Sequence, residues 1–125
     1  NLRVPSSANL LDNSEPTIIF NYNKNEQQGN NRFVQIKNGA DEWQQIFAAL
    51  YEQSLQSVLV EGGAKLLQSL IDENLWDEAR IITNQQLQLG SGVAAPKLLQ
   101  AELQETITIA TDTISTYKPS SIKPV

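Results

Sequence analysis

The chain has 125 residues, 40% of them hydrophobic, with nine Lys and Arg against fourteen Asp and Glu for a net charge of −5. That length supports one domain able to bury about two-thirds of its unfolded surface, and the acidic balance argues against a nucleic-acid surface, which needs clustered basic side chains. Cys and His are both absent, which removes disulfides, most zinc sites, and Ser-His-Asp, Cys-His and imidazole acid–base chemistry. No clustered Asp/Asn loop suggests a carboxylate-only magnesium or calcium site, so no metal is expected. No apolar run approaches the ~18 residues of a membrane span, and the start lacks a basic-then-apolar signal pattern. The chain therefore reads as soluble, without an export signal, and cytoplasmic.

Asn1–Asn9, NLRVPSSAN, has no periodicity and opens as if in mid-domain. Pro16 leads into TIIFN, a buried-strand pattern. Tyr22–Asn31 is polar with Gly29 and reads as a surface loop, and Arg32–Lys37, RFVQIK, reads as a second strand. Asp41 is placed to cap a helix in which Trp43, Ile46, Phe47, Leu50 and Tyr51 recur at i, i+3, i+4, i+7 and i+8. That spacing predicts a core-facing stripe rather than a ligand box. Ser57–Val60 reads as a short buried strand, and 64–73 as a helix with Leu66, Leu67, Leu70 and Ile71 inward. Trp76–Thr83 starts polar and finishes as a strand, and Gln85–Ala95, with Gly90 and Gly92, reads as a loop. Leu103–Ala110 and Ile114–Tyr117 predict an antiparallel hairpin turning near Thr111–Thr113 without a glycine. Helices joining early strands imply a parallel portion and the hairpin an antiparallel edge, so the expected class is α/β with a mixed sheet flanked by helices. Residues 1–117 are expected in the domain and 118–125, KPSSIKPV, in a Pro/Ser-rich tail.

The stretch Ser57–Ile71, SVLVEGGAKLLQSLI, places Glu61, Gly62 and Gly63 between a strand pattern and a helix pattern. Two uses fit that joint. Glycines permit a sharp turn, and they also let main chain with positive φ approach a bulky anion. In the second case the N–H groups of Gly62, Gly63, Ala64 and Lys65, at the positive end of the helix dipole, face a phosphate. Open α/β sheets bind ligands beyond the carboxyl ends of parallel strands, where this joint is expected to lie. Neither GxGxxG nor the long Walker loop is present. A carboxylate at such a place needs a hydrogen-bond partner if half-buried, and a sugar hydroxyl is a natural one.

SVLVEGGAKLLQSLIDENLWDEARIIT resembles the reductase domain of the bifunctional riboflavin-biosynthesis deaminase/reductase. Val60-Glu61-Gly62-Gly63 with Leu66, followed by Leu75-Trp76-Asp77-Glu78, matches that family's V-E-G-G-x-x-L block and its strand entry. Leu2-Arg3-Val4-Pro5 is similar to its Asp-x-x-Leu-Arg-x-Pro segment, whose leading Asp would precede Asn1. Leu89-Gly90-Ser91-Gly92 with Ala95-Pro96-Lys97-Leu98 is similar to the glycine-bearing loop before the closing hairpin.

The resemblance implies a dihydrofolate-reductase-like fold, of which this chain holds the carboxyl-terminal portion, without the zinc deaminase domain. It implies NADPH-dependent reduction of the ribosyl group of 5-amino-6-(5-phosphoribosylamino)uracil to a ribityl group, hydride chemistry that needs neither His nor Cys from the protein. Gly63 through Ser69 matches the cofactor-binding segment, with Gly62, Ala64 and Lys65 in the same cradle. Glu61 and Arg3 match substrate-binding residues, for ribose hydroxyls and the 5-phosphate respectively. Asn21 aligns with a small polar residue that contacts the cofactor, while Lys65 and Lys97 otherwise read as surface lysines. Two other readings stand beside it: a catalytically silent fragment with a role in assembly, and a related dihydrofolate-reductase-like reductase with another substrate. Open sheet edges in a half-domain imply a homo-oligomer.

Overall fold

TIIFN forms the strand it predicts. In the computed structural model, which describes residues 4, 5 and 7–120, it is β1, Thr17–Asn21. It pairs in parallel with β3, Asn31–Gln35, from Thr17 opposite Asn31 to Asn21 opposite Gln35. A short strand inside the expected polar loop, β2 (Glu26–Gln28), pairs antiparallel with β3 to complete a three-stranded sheet ordered β1-β3-β2. All three β2 residues are exposed, so no apolar alternation marks the strand; its turn does. Gly29 has φ +58, and a methyl group there would collide with Oδ1 of Asn13, which accepts a hydrogen bond from the Asn30 N–H at 3.0 Å. Glycine is required at that corner by both conformation and space.

The chain forms two compact units, Asn1–Val58 and Leu59–Val125. In the first, a 3₁₀ turn at Asn9–Leu11 precedes β1, and α1 (Glu42–Glu52) follows β3. Asp41 stands at the helix start as expected but makes no side-chain cap; its carbonyl accepts from the Gln45 N–H at 3.1 Å. Glu42 instead accepts from the Gly39 N–H at 3.3 Å. The expected stripe is half-buried at Trp43, Ile46, Phe47 and Leu50, and the Trp43 and Phe47 rings stack at 5.8 Å. Tyr51 departs from it, at 81% exposed, because it lies in the last turn beyond the packed part of the face. Phe33 and Ile36 are the buried apolar side chains of this unit among the described residues.

The second unit holds α2 (Ala64–Asp72) and an antiparallel sheet ordered β4-β6-β5, with β4 at Ala79–Asn84, β5 at Ala101–Ile109 and β6 at Asp112–Pro119. Leu70 is its buried apolar side chain, at 4% exposed; Leu67 and Ile71 are half-buried, and Leu66 is 44% exposed. The hairpin turns at Ala110–Thr111, earlier than expected, with Ile109 opposite Asp112 and Ala110 at φ +52 in the place a glycine would favour. A register shift between Leu103 and Glu105 leaves Gln104 unpaired. Lys118 and Pro119 pair with Glu102 and Ala101, so the tail expected from Lys118 is strand through Pro119. Residues 121–125 lie outside the described residues.

Both α/β character and mixed pairing are present, but in two three-stranded sheets rather than one. The strand expected at Ser57–Val60 does not form. Residues 57–63 have no regular structure, and Leu59 is 84% exposed. An apolar segment becomes a strand only where a ladder satisfies its main chain, and no neighbour supplies one among the described residues.

Candidate functional site at the start of the second helix

The Glu61-Gly62-Gly63 joint is extended chain leading directly into α2, with Gly63 at the N-cap position, φ −66 and ψ 160. Neither glycine of the joint has positive φ, so the expected left-handed conformation is not what selects glycine here. The two positions differ. A methyl group at Gly62 would collide with Cδ2 of Leu66 and come within 3.2 Å of its Cβ, whereas one at Gly63 would meet no atom within 4 Å. A side chain at Gly62 would have to displace that of Leu66. Among the described residues nothing crowds a side chain's Cβ at Gly63; its bare face is open.

The main chain at the joint carries unused donors. The Leu66 and Leu67 N–H groups both donate to the Gly63 carbonyl, at 3.0 and 3.2 Å. The N–H groups of Gly62, Gly63, Ala64 and Lys65 have no acceptor among the described residues. Those orphan donors carry the positive pole of the helix dipole. No acidic side chain occupies the first turn, and no side chain caps it. Glu61 is exposed and, among the described residues, makes neither an ion pair nor a hydrogen bond. The joint therefore presents four free donors, one free carboxylate and, at Lys65, one exposed cation.

A second feature fastens α2 to the segment before the hairpin. The Lys97 N–H donates to Oε1 of Gln68 at 2.7 Å, and Gln68 Nε2 donates to the Lys97 carbonyl at 3.2 Å and to Oδ1 of Asp72 at 2.8 Å. No periodicity in the sequence marks this clamp, because the segment it holds is irregular.

The other expected site residues are Arg3 and Asn21. Arg3 lies outside the described residues. Asn21 is buried at 7% exposed, and its side chain builds a turn. Oδ1 accepts from the Asn23 and Lys24 N–H groups at 2.9 and 2.8 Å, while Nδ2 donates to the carbonyls of Lys24, Ile19 and Val34 at 3.0 to 3.3 Å. This is an end-of-strand Asx turn, with both ends of the amide engaged inside the protein. The expectation that Ser57–Val60 sets the joint at the carboxyl end of a parallel strand also does not hold, since that strand is absent.

Three ionisable groups outside the joint are perturbed. The hydrogen bond from the Tyr22 hydroxyl to the Glu42 carboxylate, 2.9 Å, holds the phenol above its ordinary pKa. Hydrogen bonding from Ser14 lowers Asp12, and hydrogen bonding from Lys24 lowers Glu26. All lie in the first unit and serve its turns and edges.

A mixed α/β chain with a glycine joint leading into an uncapped helix start defines the class. The chain belongs to the RibD C-terminal domain family, which matches residues 1–120. Among solved structures it is similar to Acinetobacter baumannii RibD, form 1 and form 2, each at 20% identity and TM-score 0.73. The match covers 96% of this chain against form 2 and 97% against form 1, and 36% of either structure's own chain. The chain thus spans about a third of the length of those structures. No curated protein matches it. The family drawn from the Glu61–Leu66 and Leu75–Glu78 blocks is therefore the right one. Among the described residues, no helix is long and apolar enough to cross a membrane.

Proposed function

We propose that this chain is the carboxyl-terminal part of a reductase domain that uses NADPH to reduce 5-amino-6-(5-phosphoribosylamino)uracil to its ribitylamino product in riboflavin biosynthesis. The observation that carries the reading is the set of free N–H groups at Gly62–Lys65, beside an open Gly63 face, in a chain of this family. Main-chain donors at a helix start suit a phosphate group without a basic patch, which fits a protein of net charge −5.

The residues present fit a dinucleotide: a methyl group at Gly63 would fill open space that a phosphate can enter, and four N–H groups stand ready to donate to it. NADPH, when bound, supplies the hydride. The protein's own part is to bind and orient. Gly63, Ala64 and Lys65 hold the phosphates, Gly62 keeps the joint seated on Leu66, and Glu61 accepts hydrogen bonds from ribose hydroxyls of the substrate. Arg3 is assigned to the substrate phosphate by the family resemblance. Asn21 is not carried forward as a cofactor contact, because its amide is engaged in the turn.

Titration of the chain with NADPH, followed by Trp43 and Trp76 fluorescence, tests the binding half: saturable quenching supports it, and no change at millimolar cofactor overturns it. The edge strand β4, with Ile82 67% exposed, favours pairing with a second copy. Light scattering at high concentration tests that pairing, and a monomer throughout overturns it.

A further inference from the structure

One face of the sheet in the second unit is apolar and exposed. Ile82 of β4 stands opposite Ile114 of β6, which stands opposite Ile107 of β5. These side chains form a row across all three strands on one face, and Ile109 follows on that face two residues along β5. Side-chain contacts agree with this register. Asn84 donates to Asp112 Oδ1 at 2.7 Å on the isoleucine face, and the Thr106 and Ser115 hydroxyls meet at 3.5 Å on the other. Ile82, Ile107 and Ile109 are exposed and Ile114 is half-buried. Such a face needs cover. Leu70 is the buried apolar side chain of this unit among the described residues, too little to offset the ordering of three strands and a helix.

The charges around the row say what covers it. In the next row of the same face, Arg80 on the β4 edge and Glu105 on the β5 edge flank Thr116. Arg80 Nε donates to Glu78 at 2.7 Å, and a guanidinium has further N–H groups to donate. A two-fold axis between two copies, parallel to the strands, exchanges the β4 and β5 edges. It lays Ile82 over Ile107 of the second copy, Ile114 over its counterpart, and Arg80 over Glu105 of the second copy, twice. Asp112 and Lys118, at the two ends of β6, then face their own counterparts, but each has a match within its chain: Asp112 takes the Asn84 amide, and Lys118 stands opposite Glu102. An axis across the strands would instead set Glu105 against Ile109 and bury a carboxylate on an apolar side chain.

We infer that two copies of this chain pack face to face through the Ile82–Ile114–Ile107 row, aligned by Arg80–Glu105 ion pairs between the copies. The inference rests on the pairing of copies put forward above and deepens it, with sheet packed on sheet rather than a strand added at the β4 edge.

The test is sedimentation velocity over a concentration series, on the wild type, Ile107→Lys, Arg80→Glu and Glu105→Arg, with far-UV circular dichroism to show that each keeps its fold. The wild type is expected to dimerise, and Ile107→Lys to weaken the dimer about tenfold or more, since an ammonium would be buried among isoleucines. Arg80→Glu and Glu105→Arg each weaken it severalfold, because each sets like charges together twice, and raised salt narrows that difference. Mixing those two variants restores the dimer, since both ion pairs then form between unlike chains. A dimer unchanged in Ile107→Lys, or a mixture as weak as its two components, overturns the inference and leaves pairing at the β4 edge. A wild type that stays monomeric throughout, as when another part of the same chain covers the row, overturns the inference and the pairing together.

Discussion

The two units use polar side chains in opposite ways. In the first, asparagine side chains bind main chain: Asn21 engages Ile19, Asn23, Lys24 and Val34, Asn13 and Asn30 tie the Gly29 turn to the segment before β1, and Asn31 donates to the Leu11 carbonyl at 3.0 Å while its buried Oδ1 has no partner among the described residues. Its irregular stretches are stitched by side chains that stand in for a ladder. In the second, the stretch with most chemistry is left unstitched. Among the described residues, Glu61 has no partner, four N–H groups have no acceptor, and Gly63 faces open space. A free polar group beside a satisfied one is informative: main chain that could easily be capped by a Ser or Asp, but is not, is available to something else.

Breaking the first unit should give the largest effect. Phe33 is 6% exposed, and its ring lies beneath the Lys24 ammonium at 3.9 Å. Phe33→Ala is expected to cost about 3 kcal/mol, read as a lower urea midpoint by Trp43 fluorescence, from the lost burial and the emptied space. An unchanged midpoint would mean that the unit's core lies elsewhere. Next is Gly63→Val, expected to weaken NADPH at least tenfold while far-UV circular dichroism stays the same, since a Cβ there meets no described atom within 4 Å. Retained affinity would remove Gly63 from the cradle. Glu61→Gln should lower turnover severalfold and spare NADPH binding; equal loss of both would contradict its placement on the ribose. Asn21→Ala should destabilise the first unit by about 1–2 kcal/mol through its unsatisfied turn and leave cofactor affinity unchanged. A specific loss of NADPH binding would restore the cofactor contact.

The smallest effect is on pH. Hydrogen bonding lowers Glu26 below the usual 4.5 and Asp12 below the usual 3.8 in the folded chain. A carboxylate with a depressed folded pKa contributes stability that is present above its unfolded value and lost as pH falls through the folded one. The first unit should therefore lose a little stability on acidification below about pH 4.5, and Glu26→Gln should flatten that slope. An identical slope in the variant would assign the acid sensitivity to other groups.

How much could be read from the sequence also divides by unit. The closing hairpin was legible because Ile107 and Ile114 alternate with polar neighbours, and both helices were legible from i, i+3, i+4 spacing. β2 was not, since Glu26, Gln27 and Gln28 are all polar and exposed on a sheet edge, where packing leaves no pattern. Ser57–Val60 misled in the other direction: its β-branched run satisfies a strand pattern, but a strand also needs a partner. At the joint, Glu-Gly-Gly suggested left-handed backbone, and neither glycine adopts it: Gly62 packs against Leu66 at ordinary φ, and Gly63 has open space where a Cβ would stand. The Gln68 clamp had no sequence signal, because the side chain and its partner are 29 residues apart and neither belongs to a repeat.

The central claim is that free amides at the start of α2 hold a dinucleotide's phosphates. Amide chemical shifts followed through an NADPH titration test it most directly. The largest changes should fall on Gly62, Gly63, Ala64 and Lys65, saturating together at one affinity. Saturable binding that leaves those four signals unmoved, with the changes elsewhere in the chain, would contradict it.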